Sequence, residues 1–367
     1  MPKRNTLHEL FSDLAQAIRK KTGETSQIVA DDFPNAIDAI PKGYPNGKTW
    51  TQSNITSGNF YSLHNANGLW VAGGAGLYYS LDGKTWTQSN VTSGSVYCVH
   101  NANGLWVAGS HSNGLYYSTD GKEWTQSNIT SGAFYCVLNA NGLWVVGTQW
   151  EGLYYSTDGK SWTQSNITSD YFYCVHNANG VWVAGSDNGL YYSTDGKTWT
   201  QSNVIAGNFN CVHYANGIWV AVTLYSTDGK TWKQSNITSG FFISINNANG
   251  IWVGGSNQGL YYSTDGKTWT QSNITSGRFG CLHNANGLWV ACDNHIYDGF
   301  PVSAQGPYCS LDGKTWVHSN ITAGIQCVHN ANGIWVACGE GNVWIDEETE
   351  LEDTGSGLYY SPTWEPS

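Results

Sequence analysis

The chain has 367 residues, enough for one large repeat domain or two ordinary ones, with 44 Gly, 19 Trp, 22 Tyr, one Met and only 12% charged residues. That balance suits many short strands joined by tight turns, since aromatics favour pleated surfaces and glycine supplies positive φ. A net charge of −11, with Arg278 as the one arginine after the first 42 residues, excludes a basic nucleic-acid footprint, and no run of 18 apolar residues exists to insert in a membrane.

The N-terminus opens on a capping box, Thr6-x-x-Glu9, which predicts a helix. Leu7, Leu10, Phe11, Leu14 and Ile18 form its apolar stripe, Lys20 and Lys21 favour its C-terminal end, and Gly23 stops it. Asp31 or Asp32 caps a second short helix containing Pro34, Ile37 and Ile40. Residues 1–42 are thus predicted as a helical segment, too short to hold much of a core alone. It should pack on the rest of the chain or on another protein. No signal-peptide hydrophobic run precedes it, so the expectation is synthesis in the cytoplasm without export.

From residue 43 onward the chain repeats itself. Gly-Lys-Thr-Trp, or a close variant, ends at Trp50, Trp86, Trp124, Trp162, Trp199, Trp232, Trp269 and Trp316. Asn-Gly-(Leu/Ile/Val)-Trp-Val places a second tryptophan at 70, 106, 144, 182, 219, 252, 289 and 335. Between them lie four strand-like runs, for example Tyr97-Cys-Val-His, Leu105-Trp-Val-Ala, Leu115-Tyr-Tyr-Ser and Glu123-Trp-Thr-Gln-Ser, separated by Asn/Asp/Gly turns. Four strands in each repeat of about 38 residues is the arithmetic of a propeller blade, whereas a parallel β-helix has shorter coils and a helical solenoid needs a 3.6 period. The prediction is an all-β fold: an eight-bladed β-propeller of four-stranded antiparallel blades over residues 43–367, behind the small helical segment. The repeat opens on a fourth-strand sequence and ends near Leu358-Tyr-Tyr-Ser361, a third-strand sequence. Either the opening strand completes the last blade, or Trp364 supplies a short fourth strand of its own.

The repeated aromatics read as core, because both faces of a blade pack against neighbours. Nine cysteines are present, and Cys98, Cys136, Cys174, Cys211, Cys281 and Cys327 hold one repeat position, each in a different blade. They are expected as buried thiols rather than a disulfide framework. His64, His100, His176, His213, His283 and His329 share another position and are expected as structural residues held too far apart for one metal ion. No metal or other cofactor is expected. The seven Asn-x-Thr sequons, such as Asn54-Ile-Thr56, are copies of the repeat, and no glycans are assigned to them.

The turn Ser-Thr-Asp-Gly-Lys-Thr-Trp resembles the Asp box of sialidase-like propellers, one residue shorter than their Ser-x-Asp-x-Gly-x-Thr-Trp. It recurs around Asp82, Asp120, Asp158, Asp195, Asp228, Asp265 and Asp312, with Asn46 in the opening copy. The resemblance implies a structural hairpin in which the carboxylate accepts backbone N–H groups. It does not bring the enzyme along. Sialidases clamp the substrate carboxylate with three arginines and this repeat region has only Arg278, and no isolated acid pair stands where a glycosidase needs one. No catalytic residue is assigned.

Copies of a repeat can be compared with each other. Most positions are nearly identical, but two places vary: the loop between the second and third strands, and the residue after Thr-Ser-Gly where one blade meets the next. In an up-and-down blade these connections emerge on the same side, so variation is confined to one face, as on a binding surface. The candidates there are His111, Trp150, Glu151, Tyr171, Asp187 and Arg278. His295, Tyr297 and Trp344 join them in the two long loops near the C-terminus. Aromatics beside Asn, Asp and Gln suit sugar recognition by stacking and hydrogen bonding.

The stretch Leu10-Phe-Ser-Asp-Leu-Ala-Gln-Ala-Ile-Arg-Lys-Lys-Thr-Gly23, followed by Ile28-Val-Ala-Asp-Asp-Phe-Pro-Asn-Ala-Ile37, resembles a leader on tail-associated and other structural proteins of phages and prophages of Gram-positive bacteria. The resemblance implies an attachment module that docks on other virion chains or on itself and presents a variable domain. The expectation is a non-enzymatic, virion-associated binding protein that recognises cell-surface glycans. The alternative is a purely structural virion or scaffold component making protein contacts only.

Overall fold

Each repeat folds into four antiparallel strands because its β-branched and aromatic runs are short and are cut by Asn-Gly and Asp-Gly turns. The computed structural model describes residues 50–238, 240–293, 306–319, 324–339 and 357–362. Residues 1–42, where the two helices are predicted, and His295, Tyr297, Trp344 and Trp364 lie outside the described residues. Among the described residues there are eight four-stranded sheets and no helix, hence none long and apolar enough to cross a membrane. Blade one runs Phe60–Ala66, Leu69–Gly74, Gly76–Ser80 and Thr87–Gln88, from the inside outward. Its first hairpin turns on Asn67 and Gly68 at φ 52° and 83°, the left-handed pair that matches strand twist. Apart from Pro362, the last residue of the final strand, all eight sheets lie in the compact unit Gly47–Ser361.

The core lies between blades rather than within them. One cluster joins Phe60, Trp70 and Trp86 of blade one to Val336, Cys338 and Leu358 of blade eight. The same places are buried around the ring: Phe134, Phe172, Phe242 and Phe279 open their inner strands at full burial, and Trp219, Trp252, Trp289 and Trp335 fill the second strands. The approach is close enough to require glycine at Gly147, where a Cβ would stand 2.6 Å from Cys136 Sγ and 2.7 Å from Phe172 Cβ.

The Asp turns are local hydrogen-bond knots. Asp82 Oδ1 accepts from Ser80 Oγ at 2.9 Å, Lys84 N at 2.8 Å and Thr85 N at 2.7 Å. Partial burial works against the charge, but the N–H groups of Thr85 and Lys84 outweigh it and hold the carboxyl below its usual range. Asp120, Asp158, Asp195, Asp228, Asp265 and Asp312 repeat the pattern. Each turn is also tied to the previous blade. Trp199 N donates to Asn166 Oδ1 at 2.7 Å and Asn166 Nδ2 donates to Trp199 O at 2.9 Å, and Lys197 lies over the ring of Tyr155. The sequon asparagines Asn54, Asn90, Asn128, Asn166, Asn236 and Asn273 are therefore clasps between blades. Asn166→Ala strips the half-buried N–H and C=O of Trp199 of their partners and should lower stability by about 1–3 kcal/mol in urea titration, with Asn166→Asp, which keeps the acceptor, losing less.

The ring closes through the opening strand. Thr51–Gln52 pairs with Gly357–Pro362, Thr51 opposite Tyr360 and Gln52 opposite Tyr359, so the start of the repeat supplies the outermost strand of blade eight. One expectation about cysteine is overturned. Cys327 and Cys338 are joined as a disulfide across the two inner strands of blade eight. Cys327 was compared with its copies in other blades, but its partner stands directly opposite on the neighbouring strand of its own blade. Cys281 and Cys292 oppose each other in the same register of blade seven, as thiols in hydrogen-bond contact.

Candidate functional site

The two varied loops meet at one end of the blades. His111 N donates to Ser95 O, Gln149 N to Ala133 O and Asp187 N to Tyr171 O, each bond joining a second-to-third-strand loop to the entry of an inner strand. Blades one to four present an aromatic arc there. Tyr61 and Tyr97 lie 4.6 Å apart between ring centroids, Tyr97 stacks on Tyr135 at 4.8 Å, Tyr135 meets Tyr171 at 4.8 Å, and Tyr171 stacks on Tyr173 at 4.2 Å. Trp150, 66% exposed, sits 5.8 Å from Tyr171. His111 is edge-on to Tyr97 at 5.6 Å and to Tyr135 at 6.4 Å.

Phenols and acids bind this arc together. Tyr173 OH donates to Asp187 Oδ1 at 2.5 Å. Burial, then a hydrogen bond with Tyr135, push the Tyr171 phenol well up, so it stays a neutral hydroxyl at any physiological pH. Asp170 stands where blades one to three and five to seven carry glycine at positive φ, and it takes φ 107°. That backbone costs about 1–3 kcal/mol for a residue with a Cβ. Its carboxylate accepts from Tyr171 N at 2.8 Å, Ser186 Oγ at 2.8 Å and Asn188 Nδ2 at 2.9 Å, which fixes the loop carrying Tyr171. Trp150 also has positive φ, 141°. Strain on two residues of one loop cluster marks a built feature.

His111, Trp150, Tyr171 and Asp187, four residues singled out from sequence, are thus brought together. Glu151 lies beside them as a brace, accepting from Tyr154 OH at 3.3 Å. Arg278 stands in blade seven, its backbone N–H donating to Asp293 Oδ1 at 3.1 Å. Sequence reasoning missed Tyr61, Tyr97, Tyr135 and Tyr173. Their position reads Tyr in blades one to four and Asn210, Ile243, Gly280 and Gln326 in blades five to eight. That half-and-half switch was the available signal, hidden because tyrosine is abundant throughout the repeat.

Three residues further along the same inner strands runs a belt of histidines, and here an expectation is corrected. Neighbouring rings are not held apart: His283–His329, His329–His64 and His64–His100 centroids are 4.7, 5.9 and 4.8 Å apart, and His176–His213 are 5.2 Å apart. Inner strands converge toward the axis, so equivalent side chains touch there. Each ring also stands edge-on to the tryptophan of the next blade, as His64 does to Trp106 at 5.7 Å. Burial first, then the neighbouring imidazoles, push His64 down to about 3, and His176 and His283 fall to about 4 and about 3 in the same way. Burial takes His213 and His329 to about 4 and lowers His100. Among the described residues no three His, Cys, Asp or Glu side chains are grouped as a metal ion would require.

No family model matches the chain, and no curated protein matches it in sequence. Solved structures match in fold. The computationally designed Ika8 protein aligns with a TM-score of 0.63 at 9% identity, over 79% of this chain and 96% of its own. Sqt1 of Saccharomyces cerevisiae aligns with a TM-score of 0.60 at 12% identity, over 81% and 96%. YCF48, in a structure with bound D1 peptide, aligns with a TM-score of 0.56 at 14% identity, over 87% and 96%. At these identities the likeness is one of fold, and the chain is an eight-bladed β-propeller.

Proposed function

We propose that this propeller is a non-enzymatic binding protein that recognises surface glycans through the aromatic arc of blades one to four, as a component of a phage- or prophage-type tail. The observation that carries the reading is the arc itself. Five tyrosines, Trp150 and His111 form one contiguous surface at the face where the blades differ, with phenol hydroxyls and Asp187 at its edge. Flat apolar rings beside fixed hydrogen-bonding groups match a sugar, which has an apolar C–H face and a hydroxyl rim. The resemblance of residues 10–37 to a tail-associated leader supports the virion setting.

The test is binding of the full-length protein to a broad glycan array beside the variant Trp150→Ala/Tyr171→Ala and the variant Arg278→Ala. The aromatic variant should lose at least about 30-fold in affinity, the usual loss for buried aromatic anchors, and the arginine variant should bind as the parent does. Binding that follows Arg278 instead would move the site to another sector of the face. No binding by the parent would favour a component with protein contacts only. That reading has one point in its favour: YCF48, similar in fold, holds a peptide.

A further inference from the structure

We infer that the arc selects sugars bearing a protonated amine, such as free glucosamine units, over N-acetylated and acidic sugars; this rests on the proposed glycan-binding role. The reasoning starts from the charges that surround the rings. In blades one to four the two varied loops carry Glu151, Asp170 and Asp187 and neither lysine nor arginine. His111 is their one basic side chain. The lysines of these blades are drawn to the opposite end, in the turns between third and outermost strands. There Lys84, Lys122, Lys160 and Lys197 lie over the rings of Tyr360, Tyr79, Tyr117 and Tyr155. Among the described residues, the varied loops of blades one to four therefore offer no lysine or arginine to a sugar carboxylate or phosphate.

Aromatic rings and carboxylates favour the same kind of ligand. A cation within about 6 Å of a ring centroid is attracted by the negative face of the ring, and a carboxylate beside it adds charge attraction. At this site Asp187 touches the arc through Tyr173, and Asp170 holds the strand entry that carries Tyr171. The phenols add neutral donors and acceptors for sugar hydroxyls. An acidic sugar would meet the like charge of these carboxylates there, which is discrimination by repulsion.

The experiment is calorimetric titration of the full-length protein with three probes: a glucosamine tetramer, an N-acetylglucosamine tetramer and a sialylated lactose. The glucosamine tetramer should bind about tenfold or more tighter than the other two, and raising the salt should narrow the gap. Asp187→Asn should erase most of that preference. Glu123→Gln, which removes one exposed charge at the opposite end of blade two, should leave it intact. An equal loss in both variants would mean diffuse attraction to an acidic protein and would overturn the inference. So would equal or tighter binding of the N-acetylated or sialylated probe, which leaves the glycan-binding role standing. Failure of all three probes overturns the inference, and only an empty glycan array as well removes the proposed function.

Discussion

Acidification from pH 7.5 to 5.5 should weaken the fold by on the order of 5 kcal/mol, well before the carboxyls titrate. The cause is the histidine belt. In the unfolded chain each imidazole titrates near 6.5, whereas in the folded protein the belt histidines are pushed down to between about 3 and about 4, with His100 also lowered. A folded value below the unfolded one means that the unfolded chain binds more protons. The stability is therefore present above about pH 6.5 and is lost as the pH falls through the window between the two values. Within that window each imidazole contributes up to about 1.4 kcal/mol per pH unit.

Urea midpoints measured from pH 7.5 to 5 would check this, and a flat profile would sink it. The repeat itself supplies the control. Leu138 and Asn246 hold the same position in blades three and six, so the site tolerates an uncharged side chain. His64→Leu together with His329→Leu should fold and should flatten the profile by about two protons' worth of slope.

The second large effect concerns closure. A chain shortened to begin at residue 54 should be less stable than one beginning at Gly47 by at least about 3–5 kcal/mol, and should self-associate. The lost segment contains Trp50, buried against Leu288, Val290, Ile325 and Trp335 of blades seven and eight. It also contains the two residues that pair with Tyr359 and Tyr360, and Ser53, whose N–H donates to Leu358 O at 2.9 Å. Without them the third strand of blade eight becomes an open edge, longer and more apolar than the two-residue outer strands that close every other blade. Thermal unfolding and light scattering of the two chains would decide the matter; equal melting points and monomeric behaviour would show that closure is incidental.

Much of this was legible in the residues alone. Strand order and blade number follow from repeat arithmetic, because an antiparallel blade is built from contacts close in sequence and each copy reports the same local rules. Which segment closes the last blade stays open in the sequence, between the opening strand and Trp364, and the pairing of Thr51–Gln52 with Tyr359 and Tyr360 decides it. The Asp turns belong to the same class, since Ser80, Asp82 and the N–H groups they bind lie within five residues. Placing the varied loops on one face needed only the alternation of an up-and-down sheet.

What the residues could not show was lateral contact between neighbouring copies. Asn166 reads as a sequon, yet its amide is spent on Trp199, 33 residues away. His64 and His329 read as isolated repeats, yet their rings stack across the seam where the ends of the ring meet. Cys327 reads as one of six equivalents, but the strand register sets it opposite Cys338. Tyr61, Tyr97, Tyr135 and Tyr173 are lost among the many tyrosines of the repeat and become an arc only when the blades are set side by side. By itself the sequence determined the blade, its turns and the number of copies, all governed by short-range hydrogen bonding and alternation. The tertiary structure alone decided which copies touch through which side chains, because the convergence of inner strands at an axis is a property of the closed ring and not of any single repeat.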